Sequence, residues 1–168
     1  MKRVLVIGPS GAGKTTLATA LAEKTGLPLV HLDTEYWRPG WVETPGEEWR
    51  AHVEKLAAHD SWIMEGNFSS TFDIRMPRAD TIVLVLRPRL SCLWRVFKRY
   101  VKYRGETRPD LADGCPEQFD PAFYKWIWDF PNRSLPRVRE AMATIGAHAI
   151  QITITSDVEA RVFLERKS

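Results

Sequence analysis

The sequence is poor in the residues that build disulfide frameworks and transition-metal sites. It has two cysteines, Cys92 and Cys115, and they do not form a Cys-x-x-Cys pair. The four histidines are scattered along the chain and lack the spacing of metal ligands. We therefore predict neither a disulfide-stabilised fold nor a zinc site.

Long hydrophobic runs are also missing. No apolar segment approaches the about 20 residues that cross a bilayer, and the N-terminal apolar stretch stops at Gly8-Pro9, too early for a signal peptide. There are no repeats, low-complexity tracts or linkers. With 168 residues, 44% hydrophobic and 27% charged, the chain is predicted to form one cytoplasmic domain over residues 1–168, without a membrane partner.

Net charge is small, and the excess of positive charge lies in one segment. The formal net charge is +3. Residues 87–108 carry eight basic residues against Glu106 alone, a local charge of +7, so the rest of the chain sums to −4. A basic segment of this density predicts an anionic partner, either nucleotide phosphates or a nucleic acid backbone.

The strongest signal in the sequence is a glycine-rich stretch near its start, Gly8-Pro9-Ser10-Gly11-Ala12-Gly13-Lys14-Thr15. It has the complete G-x-x-x-x-G-K-[ST] spacing and stands between a β-branched run and a helix pattern. Glycines let backbone N–H groups turn toward a phosphate, the lysine reaches the β- and γ-phosphates, and the Thr15 hydroxyl is placed to ligate Mg²⁺. The chain is therefore predicted to bind ATP and Mg²⁺. The predicted nucleotide-binding residues are Gly8, Ser10, Gly11, Ala12, Gly13, Lys14, Thr15, Thr16 and Arg95.

Strand and helix patterns alternate along the chain, which predicts right-handed crossovers and a parallel sheet in an α/β fold. Strands are predicted at 4–7, 29–32, 62–64, 81–86 and 149–154. Helices are predicted at 14–25, from a capping box at Thr44–Glu47 to about residue 59, and at 90–103. Pro131 is predicted to separate a short helix at 121–129 from another at 134–145, and Ser156–Glu159 to cap the last helix.

Two carboxylates follow predicted strands, where open α/β sheets bind their ligands. Asp33 follows the second strand, and we predict that it positions the acceptor or acts as its general base; the alternative is a strand-end cap or a surface salt bridge. Glu65 follows the third strand and is predicted to contact the acceptor or to hold a Mg²⁺-bound water; the alternative is a solvated turn residue.

Arginines and tryptophans supply further candidates. Arg95 and Arg99 are four residues apart on one helix face, as a phosphate clamp would be, and Arg104 and Arg108 flank the most loop-like region. The alternative is a solvated basic face. The tryptophans fit the core better than a ligand platform, except for Trp37 and Trp41 in the loop near Asp33. The catalytic residues predicted are Lys14, Asp33, Arg99 and Arg104; those predicted to bind the acceptor are Asp33, Trp37, Glu65 and Arg75, with Arg133 as a weaker candidate.

These motifs resemble the adenylate-kinase-like P-loop kinases, which include the nucleoside monophosphate, shikimate and gluconate kinases. The resemblance implies a three-layer P-loop NTPase fold with a five-stranded parallel sheet in the order 2-3-1-4-5. It also implies an acceptor-side insertion at about 34–60 and a lid at about 104–119. Glu65-Gly66-Asn67 stands where adenylate kinases carry Asp-Gly-Phe-Pro, so the acceptor need not be a nucleoside monophosphate. Asp33 stands where shikimate and gluconate kinases keep an acceptor-side aspartate.

A closer resemblance is to the bacterial proteins labelled DNA topology modulation protein (FlaR-like). It is carried by His31-Leu32-Asp33, Trp37–Trp41, Gly66-Asn67, the stretch 103–117 and Trp126–Pro131. The label implies an influence on DNA and names no reaction.

The sequence therefore predicts an Mg-ATP-dependent kinase that transfers the γ-phosphoryl group to a small-molecule or nucleotide-like acceptor. One alternative is a nucleotide-gated, DNA-binding regulator, which has weaker support because no nucleic-acid reading module is visible. Another is a simple ATPase that uses water as the acceptor. The acceptor, the choice between ATP and GTP and the oligomeric state stay open at this point.

Overall fold

The computed structural model describes residues 1–108 and 110–166. Pro109, in the predicted lid, and residues 167–168 lie outside the described residues. In chain order the elements are β1 (Arg3–Ile7), α1 (Lys14–Thr25), β2 (Leu29–His31), α2 (Leu32–Tyr36), β3 (Trp37–Arg38), β4 (Val42–Glu43), α3 (Gly46–Ala57), β5 (Trp62–Glu65), α4 (Phe72–Arg75), β6 (Thr81–Val85), α5 (Arg89–Tyr103), α6 (Pro121–Thr144), β7 (Ile150–Ile154) and α7 (Asp157–Glu165).

Five of the strands form one parallel sheet in the order β2-β5-β1-β6-β7. Counted among these five alone, the order is 2-3-1-4-5, so the predicted α/β fold and its topology are confirmed. The remaining two strands pair as a small antiparallel hairpin, β3–β4, outside the sheet. Because parallel strands carry their carboxyl ends to one edge, the residues after β1, β2 and β5 meet there.

The central strand is apolar because it is covered on both faces. Residues 4–7 are fully buried. Val4 and Val6 face a cluster completed by α1, α5 and α7, whereas Leu5 and Ile7 face a cluster completed by α3, α4 and the second half of α6. The sheet is therefore the middle of three layers, and its centre holds the loop after β1 in a fixed place.

One helix crosses the position at which a break was predicted. α6 runs unbroken through Pro131 and Pro136, so the predicted division into 121–129 and 134–145 is wrong. Each proline removes a helix hydrogen bond at a cost of about 3 kcal/mol. Ile127 and Phe130 are buried before the two prolines, and Val138 and Met142 are buried after them. Burial of each such side chain stabilises the fold by about 1.5–3 kcal/mol. Burial on both sides of the prolines therefore outweighs the lost hydrogen bonds.

Two predicted boundaries also differ from the structure. α3 starts at Gly46 with Pro45 as its N-cap and without a side-chain cap, so the predicted capping box is wrong. The Thr44 hydroxyl donates instead to the Tyr36 carbonyl oxygen, 2.5 Å away, at the base of the hairpin. The second strand ends at His31, and Asp33 lies in the first turn of α2. The predicted Ser156 cap is confirmed, since its side chain accepts from the Glu159 N–H.

None of the helices within residues 1–108 and 110–166 is both long and apolar enough to cross a membrane.

Candidate active site

The glycine loop wraps between β1 and α1 at the carboxyl edge of the sheet. Gly13 caps α1 with a φ of +96°, a left-handed conformation that suits glycine. A Cβ on Gly8 would lie 2.0 Å from the Val85 carbonyl oxygen, and a Cβ on Gly11 would lie 2.4 Å from that of Cys92. The glycines are therefore needed because the loop presses against the end of β6 and the start of α5.

The loop presents part of its length to a cavity of about 1010 Å³. The lining includes Ser10, Gly11, Gly13, Lys14, Thr15 and Thr16. Gly8 and Ala12 are buried below these residues. Asn67 holds the base of the loop, because its side-chain amide accepts from the Gly8 N–H at 3.0 Å and donates to the Gly8 carbonyl at 2.6 Å.

Glu65 is the centre of a polar cluster beside the loop. One of its oxygens lies 3.7 Å from Lys14 Nζ, and the other accepts from the Thr15 hydroxyl at 3.3 Å and contacts His31 Nδ1 at 3.2 Å. Burial by itself would raise the pKa of Glu65, but the His31 hydrogen bond and the Lys14 charge hold it below the usual range. The hydrogen bond to Glu65 raises the pKa of His31 in turn. Glu65 is therefore an ionised carboxylate within the cavity.

Asp33 lines the same cavity, but its carboxylate differs from that of Glu65 in contacts and pKa. Its side chain is half-buried and has no hydrogen bond or ion pair with any other residue among 1–108 and 110–166. Loss of solvent and the negative charge of Glu65 raise the pKa of Asp33 to about 6, although Lys14 and Arg108 act in the opposite direction. An unpartnered carboxylate with such a pKa is suited to accept a proton near neutral pH.

The four candidate arginines do not lie together. Arg95 and Arg99, on α5, both line the cavity, and Arg95 Nη1 lies 3.5 Å from where a Cβ on Gly13 would be. Arg95 also pairs with Asp157 at 3.1 Å. Arg104 is exposed and lies outside the cavity lining, so the structure gives no support to its predicted place at the reacting groups. Arg108 lines the cavity instead.

Arg108 and Glu117 form a buried pair across the cavity wall. Arg108 Nε lies 2.7 Å from Glu117 Oε2, and the two atoms form an ion pair whose angle is unsuited to a hydrogen bond. Arg108 Nη1 donates a hydrogen bond to Asp110 at 3.0 Å. Arg99 Nε donates to the other Glu117 oxygen at 3.3 Å. Burial and the charge of Arg108 lower the pKa of Arg99. Two guanidinium groups are thus held on one carboxylate at the cavity.

A cover segment, defined as residues 110–118, closes over the β3–β4 hairpin. Thr34 Oγ1 donates to the Asp110 carbonyl at 3.2 Å at one end of the contact. Three further hydrogen bonds tie the two pieces: Gly40 N–H to the Gly114 carbonyl (2.8 Å), Trp41 Nε1–H to the Pro116 carbonyl (3.0 Å) and Cys115 Sγ–H to the Arg38 carbonyl (3.3 Å). Trp37 and Trp41 line the cavity beneath, with ring centroids 5.3 Å apart.

Two candidates predicted for the acceptor lie elsewhere. Arg75 is fully buried and does not line the cavity, so its predicted acceptor contact is wrong. Its guanidinium donates to the Thr71 hydroxyl and to the carbonyls of the loop after β5: Gly66, Asn67 and Phe68. Arg133 is exposed on α6 beside Asp129, also outside the cavity lining. Arg75 therefore shapes the loop that carries Asn67.

We expect Arg75→Ala to lower the free energy of unfolding by about 3–5 kcal/mol, because it orphans buried carbonyls and leaves a void. Arg133→Ala is the matched control, and we expect less than about 1 kcal/mol from its exposed pair. Urea denaturation of both variants checks the difference. Equal stability of the two variants would show that the buried guanidinium does not support the loop.

Sequence reasoning assigns no role at the site to His31 or Glu117, and the structure places both in the cavity lining. Asn67 was noticed only as part of a resemblance, although a polar residue two positions after a buried strand end is a signal in itself. Nothing local marks Glu117, because its partners Arg99 and Arg108 are brought to it by the return of the chain after α5.

Comparison with known proteins supports the nucleotide-binding reading of the first third of the chain. Residues 4–64 match the model of the ATPase family associated with various cellular activities (AAA). Comparison with curated protein sequences gives no match.

Solved structures resemble the chain over nearly its whole length. Shikimate kinase from Acinetobacter baumannii in complex with shikimate is 18% identical, with 99% of this chain and 90% of that one covered and a TM-score of 0.63. A gluconokinase from Sinorhizobium meliloti 1021 is 15% identical, with 98% and 92% covered and a TM-score of 0.55. Deoxyadenosine kinase from M. mycoides with bound dCTP is 9% identical, with 98% and 97% covered and a TM-score of 0.50.

At these identities the likeness shows the fold alone, an α/β fold with a five-stranded parallel sheet that these structures share. The narrower resemblance to FlaR-like proteins stays a prediction.

Proposed function

We propose that the protein is an ATP-dependent kinase that transfers the γ-phosphoryl group to a hydroxyl of a small acceptor. One observation carries the proposal: Lys14 of the glycine loop and the unpartnered carboxylate of Asp33 face the same cavity. A nucleotide-binding protein without chemistry on a second substrate has no need of that carboxylate. The structural likeness to three kinases supports the same class of reaction.

The donor end of the cavity has groups for a triphosphate. Backbone N–H groups of the glycine loop and the positive end of α1 favour the phosphates. Lys14 and Arg95 lie close enough to the loop to offset the negative charge of the phosphates. Thr15 Oγ1 and the Glu65 carboxylate, 3.3 Å apart, offer the oxygen ligands that Mg²⁺ prefers, directly or through water. When bound, Mg²⁺ adds positive charge at the phosphate oxygens.

The reaction requires little covalent chemistry of the protein. The acceptor hydroxyl oxygen forms a bond to the γ-phosphorus, and the bond from that phosphorus to the β–γ bridging oxygen breaks, so that ADP leaves. The hydroxyl proton passes to Asp33. Because such transition states are loose, orienting the hydroxyl contributes more than removing its proton. Lys14 and Arg99, at the donor end of the cavity, can offset the charge that develops on the transferred group.

The test is an acceptor screen with purified protein, Mg-ATP and pools of hydroxyl compounds, read by ADP release and by the mass of the products. We expect ADP release to depend on one pool and a product 80 Da heavier than its acceptor, the mass of the added HPO₃ (about 80). Equal ADP release with and without every pool would favour the simple ATPase. No nucleotide turnover in any pool would count against the kinase.

The alternative proposal, a nucleotide-gated DNA-binding regulator, is favoured by the outer face of α5. Lys98 and Lys102 lie over the rings of Trp94 and Tyr103, at 5.3 and 4.9 Å, and α5 contains no acidic residue. If it is correct, the protein binds duplex DNA at about 50 mM salt and loses that binding steeply as salt rises. Absence of binding at low salt would dispose of this proposal.

The contact of the cover segment with the hairpin gives a further prediction. Gly114 has a φ of +76°, and a Cβ there would lie 2.9 Å from Pro39 Cβ, whereas Gly105 has a φ of +78° with nothing within 4 Å. We expect Gly114→Ala to push the cover segment off the hairpin and to speed amide exchange in residues 37–43 about tenfold. Gly105→Ala carries the same backbone strain without the collision, so it should leave that exchange unchanged. Similar exchange in both variants would mean that the contact does not hold the cover in place.

A further inference from the structure

The cavity has a donor end and an acceptor end with different charge. At the donor end, Lys14, Arg95 and Arg99 stand beside the loop and along α5. The acceptor end is bounded by α2, the hairpin and the cover segment, and its charged residues are Asp33, Glu43, Arg108, Asp110 and Glu117. The Thr34 hydroxyl, next to Asp33, donates to the Asp110 backbone, which brings these two carboxylates to the same end.

The cation at the acceptor end is already neutralised. Arg108 is 9% exposed and contacts two carboxylates, Glu117 at 2.7 Å and Asp110 at 3.0 Å. Arg75 is sealed beneath the loop after β5, and Arg38 pairs with Glu48 on the outer side of the hairpin. Within residues 1–108 and 110–166, the arginine that lines this end, Arg108, is held by Glu117 and Asp110, and Arg99 beside it contacts Glu117 as well.

The carboxylates at the same end are in excess. Asp33 has no partner, and Glu43 is exposed at the cavity with a neutral contact, the hydroxyl of Tyr36. Asp110 shares its guanidinium with Glu117. An acceptor that carried its own carboxylate or phosphate would therefore face the like charge of Asp33 and Glu43, beside an arginine that is already paired.

Aromatic rings complete the acceptor end. Trp37 and Trp41 line the cavity and meet edge to face, at a ring-plane angle of 73°. Tryptophan is the side chain that binds an ammonium group best over its face, and carboxylates beside it strengthen that preference. The combination of unpaired carboxylates and indole rings recognises a positively charged group.

We infer that the acceptor is a hydroxyl compound that carries a protonated amino group, such as an amino alcohol or an amino sugar. The existence of an acceptor rests on the proposed kinase function. The positive charge of that acceptor is inferred from the charges of the site. The hydroxyl is presented to Asp33 and the loop, and the ammonium group lies among Trp37, Trp41, Glu43 and Asp110. Neutral polyols bind more weakly, and carboxylated or phosphorylated compounds are rejected.

The charge of the site is tested without any acceptor. The probes are three piperidine nitroxides that quench tryptophan fluorescence and differ only in an amino, a hydroxyl or a carboxyl substituent. Comparison with the Trp37→Phe/Trp41→Phe variant gives the part of the quenching that is due to these two rings. We expect the amino probe to quench them at least about fivefold more strongly than the carboxyl probe, with the hydroxyl probe between. Glu43→Gln with Asp110→Asn should reduce that ratio toward one. A carboxyl probe that quenches as strongly as the amino probe overturns the inference.

The chemistry is tested with Mg-ATP and three pools of hydroxyl compounds matched in carbon skeleton and bearing an amine, no charge or a carboxylate. A phosphorylated product that keeps its amine supports the inference, and a phosphorylated carboxylate overturns it. Absence of product in all pools counts against the kinase proposal. The order of quenching by the three nitroxides then still shows which charge the site accepts. Failure of the kinase proposal can therefore be distinguished from failure of the inference about the acceptor.

Discussion

Replacement of Lys14 by alanine is expected to lower the rate of ATP-dependent phosphoryl transfer by about 10³-fold or more while the protein stays folded. The ammonium group is directed by the first turn of α1, and it lies 3.1 Å from the Pro9 carbonyl and 3.7 Å from Glu65. We expect it to reach the β- and γ-phosphates of a nucleotide bound to the loop. Alanine removes that charge and leaves the loop backbone unchanged.

The folded state should tolerate this change, because Glu65 keeps its hydrogen bonds with Thr15 and His31. We expect the melting temperature to move by a few degrees at most, measured beside Lys55→Ala, an exposed lysine on α3 far from the cavity lining. Turnover is read from ADP release and nucleotide affinity from calorimetry. Full activity in the Lys14 variant would contradict the use of the glycine loop for a nucleotide.

Replacement of Asp33 by asparagine is expected to separate activity from stability. Transfer to the acceptor should fall by about 10²-fold, because asparagine can still orient a hydroxyl but cannot take its proton. The free energy of unfolding at pH 7–8 should rise by about 1–3 kcal/mol, since one pKa unit corresponds to about 1.4 kcal/mol and the group is half-buried. A structural aspartate would show the opposite sign.

The sign of the stability change follows from the pKa of Asp33. It is raised from an ordinary 3.8 to about 6, so the folded state favours the protonated carboxyl. The ionised group therefore opposes folding above about pH 6, and the effect disappears below about pH 4. The asparagine variant should lose its advantage over the same range. Asp60→Asn, at an exposed position, is measured beside it as the control.

The same pKa sets the pH profile that we expect for the proposed activity of the wild-type protein. With Mg-ATP saturating, kcat/KM for the acceptor should decline as pH falls through about 6, because the base becomes protonated. Asparagine at position 33 should remove that limb from the residual activity. A wild-type profile that is flat between pH 5 and 8 would show that Asp33 does not take the proton.

Local patterns predicted the parts of the molecule whose conformation depends on neighbours in sequence. The strand runs, the capped final helix and the glycine loop followed by α1 are of this kind. The break predicted at Pro131 failed because burial of α6 against two clusters exceeds the cost of its prolines. The strand predicted to reach Leu32 ended earlier because α2 starts there. Local propensity was overridden wherever tertiary packing was strong.

The choice among the arginines shows the same limit. The sequence around Arg75, Arg104 and Arg108 does not distinguish their roles, because each lies in a basic or loop-like stretch. In the structure the first supports a loop, the second faces solvent and the third lies in the cavity wall on Glu117. The side of a helix or turn on which a residue lies is set by contacts with other parts of the chain, such as Glu117, 9 positions after Arg108, or Glu65, 50 positions after Thr15.

By itself the sequence determined that a strand, a phosphate loop and a helix stand together and that the sheet is parallel, because both depend on short-range dihedral and hydrophobic patterns. Only the tertiary structure decided which charged groups share the cavity and which are paired. Charge balance at the acceptor end depends on α2, the hairpin and the cover segment, which are brought together by the fold. That balance is the physical basis for assigning a class of acceptor.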